Sequence, residues 1–280
     1  MSDGAPDLTL VLGGGGVAGI AWHTGILRGL ADAGVDVTGA DLVIGTSAGS
    51  TVAAQLGAGR PIGELFDRQV DPTTLDSELS PPVSMAELIE RLTPIFTGPF
   101  DDAERRRRLG VLALATETVG EDVRRAVFTG RLVGTAWPDR RIMVVAVDAV
   151  TGDRRAFDAT SGVDLIDAVA ASSAVPGVWP PVTLQGRRYI DGGVWSATNA
   201  DLAAGSGRVL VLAPLSDDVL GAEGAELEGE GRNEIVRPDA ASLEAFGADV
   251  LDPAVRAPSA RAGLTQGVAE ADRIRALLAD

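Results

Sequence analysis

Twice before Arg60 the chain passes from a short apolar stretch through glycines into residues at helical spacing. That repeated unit limits its folds more than any other feature. Leu8–Leu12 (LTLVL) reads as a buried strand that ends in glycines. After them Ile20, Ile26, Leu27 and Leu30 fall near helical spacing, and Gly34 closes the helix. Residues 41–45 repeat the strand and residues 48–58 the helix. Two strand–loop–helix units in succession predict a parallel sheet with right-handed crossovers. Both glycine loops then lie at the carboxyl ends of strands, where open α/β sheets place their sites.

The rest of the chain fits one α/β domain over residues 1–280, with a mostly parallel central sheet sandwiched by helices. From about residue 60 to 131 the strand signal gives way to helical stretches at 85–92 and 104–118, broken by Pro81, Pro82, Pro94 and Pro99. This predicts an α-helical cap inserted into the sheet domain. Strand character returns at residues 141–150, and Thr151, Gly152 and Asp153 turn the chain back into 154–157 as a hairpin. Further strands are expected at 188–190 and 208–213. Leu264, Val268, Ala271, Ile274 and Leu278 mark one face of a C-terminal helix, at about 257–279, expected to pack onto the sheet.

Composition removes several kinds of chemistry. All of the 24 basic residues are arginine, which excludes Schiff-base lysines and serine–lysine dyads. The net charge of −16 argues against nucleic acid as a partner. With one histidine and no cysteine the chain lacks the ligands of a zinc site, and no loop alternates acids as a calcium site does. No metal or other cofactor is expected. No apolar run has the length of a membrane span, and MSDGAPD has neither part of a signal peptide, so cytoplasmic residence is expected, with any membrane contact peripheral. Oligomeric state is not encoded in any pattern found. The run Arg105, Arg106, Arg107, Arg108 reads as a solvated helix face paired with nearby acids, the acidic block from Glu223 to Glu230 as a solvated loop, and Asp148 as a structural residue at a strand end.

Three glycine-rich stretches carry the chemistry. In the first, residues 13–19 (GGGGVAG), residues without Cβ let the backbone aim several N–H groups at one point before a helix N-terminus, a geometry that holds negative charge. The charge could be a pyrophosphate or an acyl-transfer oxyanion. Gly14-x-Gly16-x-x-Gly19 fits the dinucleotide fingerprint, but the second strand ends in Gly45-Thr46-Ser47 where a ribose-binding acid belongs. The second stretch, Gly45-Thr46-Ser47-Ala48-Gly49, is a G-x-S-x-G elbow between a strand and a helix. Ser47 is either an exposed nucleophile or a helix N-cap. The third is Asp191-Gly192-Gly193, an acid at a strand end that is either a turn or a functional carboxylate. No histidine follows Ser47, so a triad in the order serine, acid, histidine is absent. A carboxylate is the remaining base for Ser47.

The ordered set formed by residues 13–19, the elbow from Gly45 to Gly49, residues 171–177 (ASSAVPG) and Asp191-Gly192-Gly193 resembles the patatin-like phospholipases, from Leu8 to about Asn199. The resemblance implies a serine–aspartate dyad of Ser47 and Asp191, an oxyanion hole from the amides of Gly14, Gly15 and Gly16, motif glycines at Gly19, Gly45, Gly49, Gly192 and Gly193, and metal-free hydrolysis of lipid acyl esters. Where that family often carries Arg or Lys in the first motif, this chain has Ala18. Backbone donors survive that change; loop rigidity and attraction for an anionic head group are what it touches.

An aspartate at its ordinary pKa of about 3.9 is a weak base for a hydroxyl, so the dyad requires burial to raise Asp191. His23, on the helix after the first loop, is expected to be structural. Trp137, Trp179 and Trp195 are open to two readings, core or acyl pocket. Pro176, Trp179, Pro180 and Pro181 form either a rigid loop near the site or a plain connector. Two other functions remain at this stage: a Rossmann-like nucleotide binder, and a catalytically silent lipid-binding protein of the same fold.

Overall fold

The computed structural model describes residues 6–73, 79–132, 134, 136–215 and 232–279. The acidic block from Glu223 to Glu230 lies outside them. Strand β1 (Leu8–Leu12) leads into α1 (Gly16–Asp32), and β2 (Leu42–Thr46) into α2 (Ala48–Gly57). Four helices follow: α3 (Ile62–Val70), α4 (Met85–Thr97), α5 (Asp102–Ala115) and α6 (Glu121–Arg131). Then come β3 (Arg141–Asp148), β4 (Arg154–Phe157), α7 (Leu165–Ser172), β5 (Val182–Leu184) and β6 (Arg187–Asp191). The chain closes with β7 (Arg208–Leu212), β8 (Arg232–Val236), α8 (Ala240–Phe246) and α9 (Arg256–Leu278).

The sheet runs β5-β6-β3-β2-β1-β7-β8, with β4 paired to β3. The pairs β1/β2, β1/β7, β2/β3 and β7/β8 are parallel, as the repeated unit predicts. Leu10, Val11, Leu12, Val43 and Ile44 are fully buried, which is why these strands read as continuous apolar runs without alternation. The pairs of β3 with β4 and β6, and of β5 with β6, are antiparallel.

The register of β3 positions the site. Its residues Arg141 to Val145 pair with β2, Ala146 to Asp148 pair with β6, and Val144 to Val147 pair with β4. Since β4 overlaps both of the others, and a strand residue has one partner per edge, β2 and β6 share the opposite edge of β3 end to end. They run in opposite senses, so their carboxyl ends meet: Thr46 pairs with Val145 and Asp191 with Ala146. Residues 144 apart in sequence thereby become neighbours.

Two expectations need correction. Pro94 lies inside α4 and does not end it. The C-terminal helix α9 buries only part of the expected face: Ala271 and Ile274 are buried, but Val268 is 48% exposed, and Ser259, Ala260, Gly263, Gln266 and Gly267 are buried in the helix's N-terminal half. Its main contact is α1, not the sheet. A Cβ at Gly25 would stand 2.2 Å from the carbonyl oxygen of Ala260, and one at Gly267 2.4 Å from that of Ile26. Small residues on both helices let the backbones touch, and α1 is consequently buried almost all round.

Candidate active site

Ser47 is the hinge between β2 and α2, held at φ 51° and ψ −113°. A non-glycine residue there is strained, and the strain lifts the side chain away from the helix. Ser47 stands in the N-cap position but makes no side-chain capping bond. Its hydroxyl instead donates to Asp191 Oδ2 at 2.7 Å. The turn fits because a Cβ on Gly49 would lie 1.9 Å from the Leu12 carbonyl oxygen, and one on Gly45 2.5 Å from Ser50 Cα. Only glycine allows α2 to start so close to β1. The Gly49 N–H donates to the Gly13 carbonyl at 3.1 Å, tying the two loops together.

The elbow is further braced from α7. Ser172 Oγ accepts the Ser47 N–H at 2.9 Å, and Ser173 Oγ donates to the Ser47 carbonyl at 3.4 Å. Asn199, at φ 54° and fully buried, donates through Nδ2 to Thr46 Oγ1 at 3.0 Å and to the Ser196 carbonyl at 2.9 Å. Sequence reasoning assigns no role to Ser172 or Asn199. Ser172 falls within the stretch 171–177 and Asn199 at the end of the span the resemblance covers, yet only the fold shows what they hold.

Asp191 ends β6 and is 6% exposed. Its Oδ1 accepts the Gly193 N–H at 2.8 Å while Oδ2 accepts the Ser47 hydroxyl at 2.7 Å. Burial pushes its pKa up from 3.8 to about 6, against the Gly193 and Ser47 hydrogen bonds that pull it down. The adjacent Gly192 is required by contact: a Cβ there would sit 2.3 Å from the Val145 carbonyl oxygen. Asp191-Gly192-Gly193 is a turn in the structure, and the same turn sets the Asp191 carboxylate against the Ser47 hydroxyl.

The first glycine loop needs one correction. The Gly14 N–H already donates to the Ala197 carbonyl at 2.7 Å, so it is not a spare donor. Gly13 N–H goes to the Leu212 carbonyl, Ala18 N–H to Val250 and Gly19 N–H to Gly15. Among the described residues the amides of Gly15 and Gly16 find no backbone acceptor. They belong to the end of the loop where α1 begins, and both line a hollow with Ser47 and Asp191.

Two hollows meet at Ser47. One, of about 640 Å³, contains Gly14, Gly15, Gly16 and Asp191 and is otherwise walled by apolar side chains, among them Met85 and Leu88 from α4 and Leu251. The other, of about 440 Å³, is bounded by Trp179, Ser173 and the α6 residues Arg124 and Arg131. Of the three tryptophans, Trp179 alone faces these hollows among the described residues. Trp137 donates its indole N–H to the Val163 carbonyl, and Trp195 lies against the guanidinium groups of Arg106 and Arg154.

His23 lines neither hollow. It is wholly buried, its two ring nitrogens have no hydrogen-bond partner among the described residues, and burial lowers its pKa from 6.5 to about 3. Asp148 accepts the N–H groups of Val150 and Thr151 and pairs with Arg187, a structural use. Arg105, Arg107 and Arg108 pair with Asp102 and Glu104. Among the described residues no group of three or more His, Asp or Glu is arranged to hold a metal ion, and no helix is long and apolar enough to cross a membrane.

Comparison with known proteins places this geometry in a family. No curated protein matches the chain. Among solved structures it is similar to VipD from Legionella pneumophila, with a TM-score of 0.48 and 13% identity over 95% of this chain and 66% of VipD. It is also similar to the type III effector protein ExoU, with a TM-score of 0.43 and 16% identity over 96% of this chain and 53% of ExoU. The chain thus spans about two thirds of the one and half of the other. The family model of the patatin-like phospholipases matches residues 10–204, well over half of the chain, and the protein belongs to the patatin-like phospholipase family, a family of lipid hydrolases.

Proposed function

We propose that the protein is a lipid acyl-ester hydrolase in which Ser47 is the nucleophile and Asp191 the general base. The observation that carries the reading is the 2.7 Å hydrogen bond from Ser47 Oγ to Asp191 Oδ2, made out of water. Burial brings the carboxylate closer in basicity to what proton transfer near neutral pH needs. Above about pH 6 it is ionised and accepts the serine proton.

As Oγ bonds to the ester carbonyl carbon, its proton moves to Asp191. The carbonyl oxygen becomes an oxyanion, met by the amides of Gly15 and Gly16 at the N-terminus of α1. The carbon–oxygen bond to the alcohol breaks, the Asp191 proton goes to the departing alkoxide, and an acyl-serine remains. Water then gives a proton to Asp191 as it attacks that acyl group. The acid leaves and the proton returns to Ser47 Oγ. The strained elbow supports the role, since it presents Oγ with little need for rearrangement. The apolar hollow suits an acyl chain, with residues 60–131 as its cap on a single catalytic domain.

Labelling by a fluorophosphonate probe tests the assignment, because the probe reacts with an activated serine. Wild-type protein should be labelled, Ser47→Ala should not, and Asp191→Asn should react far more slowly. Full labelling of the Ser47→Ala protein would remove Ser47 from the role.

A further inference from the structure

The chain that follows Asp191 turns back to the corner where β2 ends, and residues 192–199 meet the other parts of the site in turn. The Ala197 carbonyl accepts the Gly14 N–H of the glycine loop at 2.7 Å, and Asn199 reaches Thr46, the residue before Ser47. Asn199 is fully buried and held at φ 54° and ψ 38°, a left-handed conformation that asparagine tolerates better than most residues. Ser47 is strained at φ 51° as well, and strain of that kind persists only where neighbouring groups hold it.

The hydrogen bonds around the Asn199 side chain run in one direction. Arg154 of β4 can only donate, and its Nη1 lies 3.2 Å from Asn199 Oδ1, so the amide oxygen faces β4 and the nitrogen faces the site. Arg154 is itself fixed by two 2.6 Å bonds to Asp201, with its guanidinium carbon 5.0 Å from the Trp195 ring centroid. Asn199 Nδ2 then donates to the Ser196 carbonyl at 2.9 Å and to Thr46 Oγ1 at 3.0 Å, with the Gly192 carbonyl 3.4 Å away. Thr46 Oγ1, an acceptor there, donates its own hydrogen to the Thr198 carbonyl at 3.3 Å. A Cβ on Gly192 would lie 3.2 Å from the Thr46 methyl, so the same side chain also bears on the residue after Asp191.

We propose that Asn199 is a positioning residue: its amide latches the loop after Asp191 to the Thr46 hydroxyl and so fixes the Asp191 carboxylate against the Ser47 hydroxyl. The inference rests on the reading of Ser47 and Asp191 as the reacting pair. Sheet pairing sets Thr46 beside Val145 and Asp191 beside Ala146, but it fixes backbones only. The link through Asn199 adds a side-chain tie between the residue before the nucleophile and the turn after the base. Asn199 and Thr46 line neither hollow at Ser47, so substrate binding does not depend on them.

Turnover of p-nitrophenyl butyrate by Asn199→Asp tests this. The carboxylate suits the left-handed backbone and keeps an acceptor for Arg154, but it has no N–H for Thr46. Its kcat should fall about 10- to 100-fold, as for a reacting group displaced by about 1 Å, with KM within about threefold of wild type and the thermal melt intact. Thr46→Val should lower kcat likewise, and Thr46→Ser, which returns the hydroxyl, should recover most of that loss. A purely structural role would lower the melting temperature and leave kcat unchanged in the folded protein; that result, or a loss confined to KM, overturns the proposal. If Asn199→Asp does not fold, the Thr46 pair decides: wild-type kcat in Thr46→Val, or no recovery in Thr46→Ser, sinks it. If the wild type itself turns over no ester, the hydrolase reading fails alone. Deuterium exchange of the backbone amides at 44–50 and 190–197 then decides: faster exchange in Asn199→Asp, or in Thr46→Val, upholds the latch, and exchange equal to wild type removes it.

Discussion

His23 and Asp191 are both titratable side chains shut away from water, and they meet burial in opposite ways. His23 sits on α1, which is buried almost all round, and its ring nitrogens have no hydrogen-bond partner among the described residues. The β2–β6 corner encloses Asp191 but supplies an N–H from Gly193 and a hydroxyl from Ser47. In each region burial favours the uncharged form, lowering the histidine to about 3 and raising the aspartate to about 6. Only at the corner does a neighbouring group stand ready to exchange a proton. Burial supplies the shift in basicity, and under the proposed dyad the hydrogen-bond partner is what would turn that shift into chemistry.

The largest expected effect breaks the corner. Ser47→Ala and Asp191→Asn should each lower kcat on a p-nitrophenyl acyl ester by about 10²- to 10⁴-fold or more, the range general-base help typically spans. Circular dichroism should be unchanged, since neither side chain fills the core. The wild-type rate should climb as pH rises through about 6, where Asp191 ionises, and near-parental turnover by Asp191→Asn would defeat the dyad.

Next in size is the acid response of the buried histidine on α1. A depressed folded pKa means that below 6.5 the unfolded chain takes up the histidine proton first. No stability is lost to His23 above pH 6.5, and about 1.4 kcal/mol goes with each pH unit from there down to about 3. At pH 4 the loss is about 3 kcal/mol, and His23→Leu should remove most of it. Urea midpoints measured at pH 4 and pH 7.5 check this: the two proteins should diverge at the lower pH, and parallel curves would show that His23 is solvated or paired.

Asp191 has the opposite sign. Its folded pKa is raised, so its contribution is complete below 3.8 and disappears as pH rises through about 6. At pH 8 the fold holds a buried carboxylate at a cost of about 3 kcal/mol, which Asp191→Asn relieves only in part because the amide loses an acceptor. A net gain of about 1–2 kcal/mol at pH 8, falling to nothing or a small loss at pH 4, is expected from denaturant melts. The same substitution would then stabilise the protein and silence it.

What the sequence reveals about the two regions differs for a related reason. β1, β2 and the elbow are legible because their signals are local: apolar residues in a row, then glycines where backbones must turn or touch. The dyad is legible only through a motif whose members lie 144 residues apart, and its cause, the end-to-end meeting of β2 and β6 on one edge of β3, has no local trace. The engagement of the Gly14 amide by Ala197 is likewise long-range. β5 has three residues, and β8 (RNEIV) has only Ile235 and Val236 to mark it, so neither offers a clear strand pattern. The N-terminal half of the α9 face, unlike Ala271 and Ile274, is misassigned for a chemical reason. An apolar stripe at Leu264 and Val268 attracts notice, while Ala260, Gly263 and Gly267, also at helical spacing, make the close contact with α1.

The smallest expected effect closes the comparison from the other side. If imidazole has no part in proton transfer, His23→Leu should keep kcat/KM within about twofold of wild type at pH 7.5, because the ring is neutral there and lines neither hollow at Ser47. A thermal melt on the same sample separates chemistry from folding. Loss of activity along with loss of the melting transition would report a packing defect in α1, the helix that begins at the Gly15 and Gly16 amides. A loss of 100-fold or more with an intact melt would mean that the histidine reaches the serine by a rearrangement of α1, and Asp191 would then orient a base instead of being one.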